Sequence, residues 1–312
     1  MTHFYADVMS PLADPVISGI FANVEVAGKA ADSLIRNTLA TDGETIGKIL
    51  KVTPQYTSDD PLLRGCRIDV DAEYTKKVET LIEVQVNPDP TILQRNLFGA
   101  AYKFVNTSRK GDSHRELAAN MPRIISINLL AYKIRSKSNE LVHPVKILYT
   151  KPPQEVAINN FSVYNIQLPA VPDIPPNFED GLYCWCYALY TAHTQGKTIE
   201  EVLKMQPELQ TFAKYDEGFQ QFCDRFDYFS ANPTEREKYA NWRLALMRQA
   251  GELQGAREEG IVEGLTKGRA EGRAEEATEI AIRLLEKNYP ITEIVELTKL
   301  SDEVIISLKN SL

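Results

Sequence analysis

Apolar residues recur along this chain with two different periods, and each change of period outlines an element. In 15–40, PVISGIFANVEVAGKAADSLIRNTLA, the residues Ile17, Ile20, Phe21 and Val24 keep helical spacing and Leu34, Ile35 and Leu39 continue it. This predicts an opening helix or helix pair. ETIGKILKV (44–52) is strand-like, with Pro54 expected to end it. RIDVDAEY (67–74) and ETLIEVQV (79–86) alternate with period two until Pro88 and Pro90 stop the second run. TILQRNLFGAAYKFVNTSRKG (91–111) reads as a helix closed by Gly111. PRIISINLLAYKI (122–134) is β-branched and largely apolar, the pattern of a buried strand. VHPVKILYT (142–150) and FSVYNIQLP (161–169) are two further strands. The order α-β-β-β-α-β, followed by more strands, predicts a compact α/β domain with a mixed sheet.

The proline-rich stretch PAVPDIPPN (169–177) marks a boundary, and the pattern beyond it is helical. We therefore divide the chain into a sheet domain at 1–170, a helical region at 177–250, a glycine-periodic charged helix at 251–276 and a small helical tail at 277–312. The glycines of the third segment fall at 251, 255, 260, 264, 268 and 272. Their spacing, mostly four, is expected to put them near one helix face, where a second helix could approach closely; a charged, frayed linker is the alternative. ITEIVELTKLSDEVIISL in the tail has the rhythm of a helix-turn-helix, but it carries few basic residues, so a small packing bundle suits it better.

Composition narrows the function classes. Of the 312 residues 43% are hydrophobic and 25% charged, enough for a sizeable core. No run of about 18 apolar residues predicts a membrane span. No basic segment followed by an apolar one opens the sequence, so a secretory signal is not expected and a reducing cytoplasm is. Cys66, Cys184, Cys186 and Cys223 lack zinc-type spacing and read as free thiols. The net charge of −8 is unevenly spread: residues 1–90 carry 8 Lys/Arg and 14 Asp/Glu, residues 91–155 carry 11 and 4, and the remainder 16 and 25. A basic segment thus follows an acidic hairpin, an arrangement in which one can hold a polyanion while the other binds cations. The four histidines are scattered and form no triad or metal spacing.

The hairpin carries the candidate chemistry. Alternate side chains of a strand share a face, so Asp69, Asp71 and Glu73 oppose Ile68, Val70 and Ala72, while Glu83 and Gln85 oppose Ile82, Val84 and Val86. For Asp69 to face Glu83 or Gln85, the numbers of paired residues must sum to an even value. That requires an odd-length turn around Lys76–Lys77. Neighbouring carboxylates repel unless neutralised, and Mg²⁺ takes one or two carboxylates with waters and substrate phosphates. Asp69 and Glu83 suit that role, with the Val84 carbonyl lying between them. Such an ion acidifies water and offsets charge on a scissile phosphate. A solvated edge hairpin would show the same alternation.

The spacing D-x(n)-E-x-[K/Q], with apolar strands around both acids and a helix after them, resembles the PD-(D/E)XK nuclease motif. More narrowly, the chain resembles the PD-(D/E)XK nuclease family transposases, also called recombination-promoting nucleases. SPLADPVISGIF is similar to that family's opening, although Val16-Ile17 replaces the usual aromatic and basic pair. RIDV and IEVQ match its motif pair, PRIISINLL its central strand, FSVYNIQLP a later strand ending in Leu-Pro, Trp185 its helical tryptophan, and the E-G and R-A-E-G units its tail. The resemblance implies a restriction-endonuclease-like fold and a Mg²⁺-dependent DNA endonuclease, with Asp69 and Glu83 as ligands and Gln85 where the wider superfamily has lysine. A neutral amide brings no positive charge, though it can orient a water. An opening-helix acid often assists in the superfamily; Asp14 and Glu25 are the candidates. Arg95, which resembles the family's post-motif arginine, and Lys103 are candidate nucleic-acid contacts. A surface salt bridge is the alternative for Arg95. The rival readings are a DNA- or protein-binding module weakened by Gln85, and an assembly protein that forms homo-oligomers through its C-terminal helices.

Overall fold

The computed structural model describes residues 8–21, 24–57, 67–75, 77–107, 111, 113–135 and 137–312, without the side chains of 14, 18, 21, 24–27, 54–57, 67 and 68. Cys66, Lys76 and the side chains of Asp14 and Glu25 lie outside the described residues. Two compact units divide between Trp242 and Arg243. In the first, helices α1 (Asp14–Phe21) and α2 (Val24–Ala40) precede strands β1 (Ile49–Thr57), β2 (Arg67–Tyr74) and β3 (Val78–Gln85). Helices α3 (Ile92–Thr107) and α4 (His114–Asn120) lead to β4 (Arg123–Leu130), β5 (Val142–Leu148) and β6 (Val156–Gln167). The strands form one mixed sheet in the order β1-β2-β3-β4-β6-β5. β4 runs parallel to both β3 and β6; the remaining pairs are antiparallel.

The two faces of the sheet differ. One carries Val70, Ile82, Val84, Ile127, Tyr164 and Ile166 and joins the main hydrophobic cluster. The other buries a smaller cluster, Leu81, Ile124, Phe161 and Val163 against Ala100 of α3, with Phe104 packed on it. Beside the small cluster on this face lies a row of buried polar residues that includes Glu83.

Helices α5 (Gly181–Gln195), α6 (Ile199–Met205), α7 (Pro207–Tyr215) and α8 (Glu217–Ala231) pack into the main cluster. Asp180 caps α5 by accepting from the Leu182 and Tyr183 N–H groups, and Gly196 closes that helix in the left-handed region. Trp185 donates its indole N–H to Ser33 at 3.0 Å and meets Phe219 edge-on, tying α5, α2 and α8 together. α8 approaches α2 so closely that a Cβ on Gly218 would lie 2.2 Å from the Lys29 carbonyl oxygen. Burial holds the Cys184, Cys186 and Cys223 thiols protonated, pushing that of Cys184 up to about 12.

Several expectations change. β1 runs through Pro54 rather than ending before it. Pro54 lies opposite Val70, whose own N–H and C=O are turned to Ile82 on the other side, so the proline nitrogen faces the open margin of an edge strand. Helix α4, opened by a capping box between Ser113 and Glu116, falls where the apolar pattern predicts no element. β6 starts five residues earlier than its apolar stretch.

Helix α9 (Pro233–Glu286) is continuous. Its glycines do not share one face: at 3.6 residues per turn a four-residue step advances by about 40°, so the set winds around the axis. A Cβ on any of Gly251, Gly255, Gly260, Gly264, Gly268 or Gly272 would meet nothing within 4 Å. In the second unit, α10 (Ile291–Thr298) and α11 (Asp302–Ser311) bury Ile294 and Ile305 against Ala281 of α9, a small three-helix bundle. Among the described residues no helix is long and apolar enough to cross a membrane.

Candidate active site

The β2–β3 register decides where the acids stand. Val70 pairs with Ile82, Asp71 with Leu81 and Glu73 with Glu79, so the paired numbers sum to an even value. One step further falls Asp69 opposite Glu83. Here the backbone ladder gives way to a side chain: the Val84 N–H donates to the Asp69 carboxylate at 2.8 Å. The N–H and C=O of one strand residue leave the backbone on the same side. The Val84 carbonyl is therefore directed toward the same opening as the Asp69 carboxylate.

Glu83 is 7% exposed. Its carboxylate lies 3.2 Å from the Arg95 guanidinium, which also pairs with Asp89 at 3.0 Å. Asp89 is itself fixed at the start of α3, accepting from the Thr91 N–H at 2.8 Å and the Thr91 hydroxyl at 2.7 Å, while its own N–H donates to the Tyr132 hydroxyl. These Thr91 bonds and Arg95 hold the Asp89 carboxyl below the usual range. Burial pushes Glu83 the other way, from 4.5 up to about 7, helped by the nearby Asp69 and Asp89 charges and opposed by Arg95. Arg95 remains charged, its guanidinium stabilised by Glu83 and Asp89 against partial burial. Gln85 is half-buried two residues on, on the same face as Glu83, and its carbonyl accepts the Ala131 N–H.

Lys103 is turned inward. Its ammonium lies 2.5 Å from Asp71 and 2.8 Å from Glu79. Burial raises the Asp71 carboxyl even with that partner beside it. Asp71 is 3% exposed, so removing the ammonium strands a buried carboxylate. Lys103→Met should lower stability by about 3 kcal/mol, and adding Asp71→Asn should recover much of it. Urea unfolding of both variants checks this; an unchanged midpoint in Lys103→Met would contradict a structural role for the ammonium.

Sequence reasoning missed Asp89, which lies in the proline-flanked turn NPDP, and Tyr132. It also missed the amides Asn96, Asn128 and Asn165, although Asn128 sits in the apolar stretch RIISINLL, where an unexplained polar residue is itself a signal.

Among the described residues no group of three or more His, Cys, Asp or Glu side chains is arranged to hold a metal. The available donors are two carboxylates, Asp69 and Glu83, and the Val84 carbonyl on the same opening. That hard-oxygen set suits Mg²⁺, which retains waters and takes few protein ligands. A family model described as PD-(D/E)XK nuclease family transposase matches residues 19–255. The chain belongs to this family. No curated protein and no solved structure matches it. The six-stranded mixed sheet with flanking helices is the α/β fold of a PD-(D/E)XK nuclease family transposase. Of the candidate residues of this PD-(D/E)XK chain, Glu25, Asp69, Glu83, Val84, Gln85, Arg95 and Lys103 fall inside the matched span, and Asp14 precedes it.

Proposed function

We propose that this family member is a Mg²⁺-dependent DNA endonuclease that hydrolyses phosphodiester bonds in the service of recombination or mobile elements. The observation that carries the reading is that Asp69 and Glu83 stand together just past the end of the β2–β3 ladder, beside the Val84 backbone. Asp69, Glu83 and the Val84 carbonyl would hold the ion. When bound, the cation supplies positive charge to the scissile phosphate and makes water more acidic. Asp69 is oriented for this by the Val84 N–H. Arg95, anchored by Asp89, keeps a permanent positive charge against Glu83 where Gln85 brings none. Gln85 orients a water through its amide. Arg95 is also the candidate phosphate contact, since its guanidinium is a third exposed.

The experiment is conversion of supercoiled plasmid to nicked or linear DNA by the full chain with Mg²⁺, against the same mixture with EDTA. Cleavage in neither mixture, with DNA still retained in a mobility shift, would favour the second reading: a binding module whose chemistry is weakened by Gln85. Homo-oligomerisation through the C-terminal helices belongs to both readings and is supported by the exposed Leu253, Ile261, Val262 and Leu265 of α9. Light scattering of the chain ended at Gln249, against the full chain, should show the assembly lost; an unchanged mass would remove the tail from assembly.

A further inference from the structure

Parallel register across β3, β4 and β6, continued into β5, aligns Glu83, Asn128, Asn165 and His143 in one row on the α3 face of the sheet. Asn128 is fully buried, Asn165 is 2% exposed and Asn96, above them on α3, 1%. Asn96 and Asn128 exchange both amide bonds, Asn128 donating at 2.7 Å and Asn96 at 3.1 Å. The second N–H of Asn128 donates to Asn165 at 2.8 Å, and Asn165 donates to the His143 carbonyl at 3.3 Å. Every polar atom of the Asn128 side chain is therefore used.

Three buried amides are an unusual filling for a site that leucine or valine could occupy. A buried amide gives up its hydration, a cost that its hydrogen bonds only offset. What such a network adds is geometry: a reciprocal amide pair has one good arrangement, whereas apolar contacts slide. The apolar cluster that α3 shares with the sheet lies in its second half, at Ala100 and Phe104, and Ile92 at the helix start is the other large apolar side chain of α3 that is buried. In the first half the buried side chains are Ile92 and Asn96. Asn96 follows Arg95 directly, and Asn128 is the register neighbour of Glu83.

We infer that the Asn96–Asn128 amide pair is a positioning device that fixes the first half of α3 so that Arg95 stands over Glu83. Asn96 and Asn128 act through Arg95 and Glu83 and touch neither ion nor substrate. The purpose of the positioned charge rests on the nuclease reading; the positioning itself does not.

The test uses the full chain in EDTA and follows the guanidinium ¹⁵N–¹H signals of Arg95, identified by their loss in Arg95→Lys. Asn128→Leu removes the network centre with a side chain of similar size. Asn96→Ala is milder, because Asn128 keeps its bond to Asn165. In variants with unchanged circular dichroism, exchange of the Arg95 protons with water should speed up about tenfold or more. With Mg²⁺ and plasmid, kcat should fall by about tenfold or more while KM changes less than about threefold, as for residues that orient a ligand from behind. A folded Asn96→Ala that keeps the parent's Arg95 exchange rate overturns the inference. Altered Arg95 exchange with a parent that never cleaves DNA upholds the positioning and overturns the nuclease reading.

Discussion

Asp69→Ala and Glu83→Ala should each reduce Mg²⁺-dependent plasmid cleavage by on the order of 10³-fold, about 4 kcal/mol of transition-state stabilisation. The two losses should not add, because either carboxylate is of little use to a shared cation without the other. The conservative forms separate charge from shape. Asp69→Asn keeps an oxygen that can accept the Val84 N–H, so the hairpin should stay intact while the charge is gone. Asp69→Asn is therefore expected to fold as the parent does and to be as inactive as Asp69→Ala. Equal cleavage by the parent and both alanine variants would reject the assignment of the site, and full activity in Asp69→Asn would show that the Asp69 charge is not needed.

The second large effect is on stability. Glu83 moves from 4.5 up to about 7 on folding, so the native state binds its proton more tightly than the unfolded chain does. Its contribution is then fully present below pH 4.5 and disappears as pH rises through 7. Across that window each pH unit is worth about 1.4 kcal/mol, so the metal-free parent should lose up to about 3 kcal/mol between pH 4.5 and 8 from this group. Glu83→Gln has no proton to lose. It should be more stable than the parent at pH 8, lack that advantage at pH 5, and be inactive at both. Mg²⁺ should restore the parent at pH 8 by binding the folded state, and should do nothing for Glu83→Gln. Urea midpoints from pH 5 to 8, with EDTA and with Mg²⁺, measure this. Parallel pH profiles for the two proteins would mean that Glu83 is not held in a buried, proton-retaining place.

Much of the fold could be read along the chain because the strands of this sheet obey simple periods. RIDVDAEY and ETLIEVQV alternate cleanly, and the even pairing sum followed from asking which side the acids had to share. What escaped was whatever depends on a third partner. Arg95 looks the same in sequence whether it meets a phosphate or Glu83; only the packing of α3 brings the pair to 3.2 Å. Lys103 reads as a surface cation until Asp71 and Glu79 are seen beneath it. Asn128 hides inside an apolar strand, and its bonds to the buried amides Asn96 and Asn165 come from two other elements. Pro54 reads as a stop because a proline cannot serve a strand with neighbours on both sides; β1 has only one. The glycines of α9 misled through arithmetic, since a spacing of four drifts against a helical turn of 3.6.

That outward-facing nitrogen has a consequence for how molecules of this protein can meet. A strand from another copy, laid along the rim of β1, would find an amide donor missing at Pro54 midway through its docking, and the bulge between Ile49 and Lys51 would throw it out of step once more. Growth of the sheet from molecule to molecule is blocked on that border. Extension of the sheet between molecules would have to begin at its opposite border, β5.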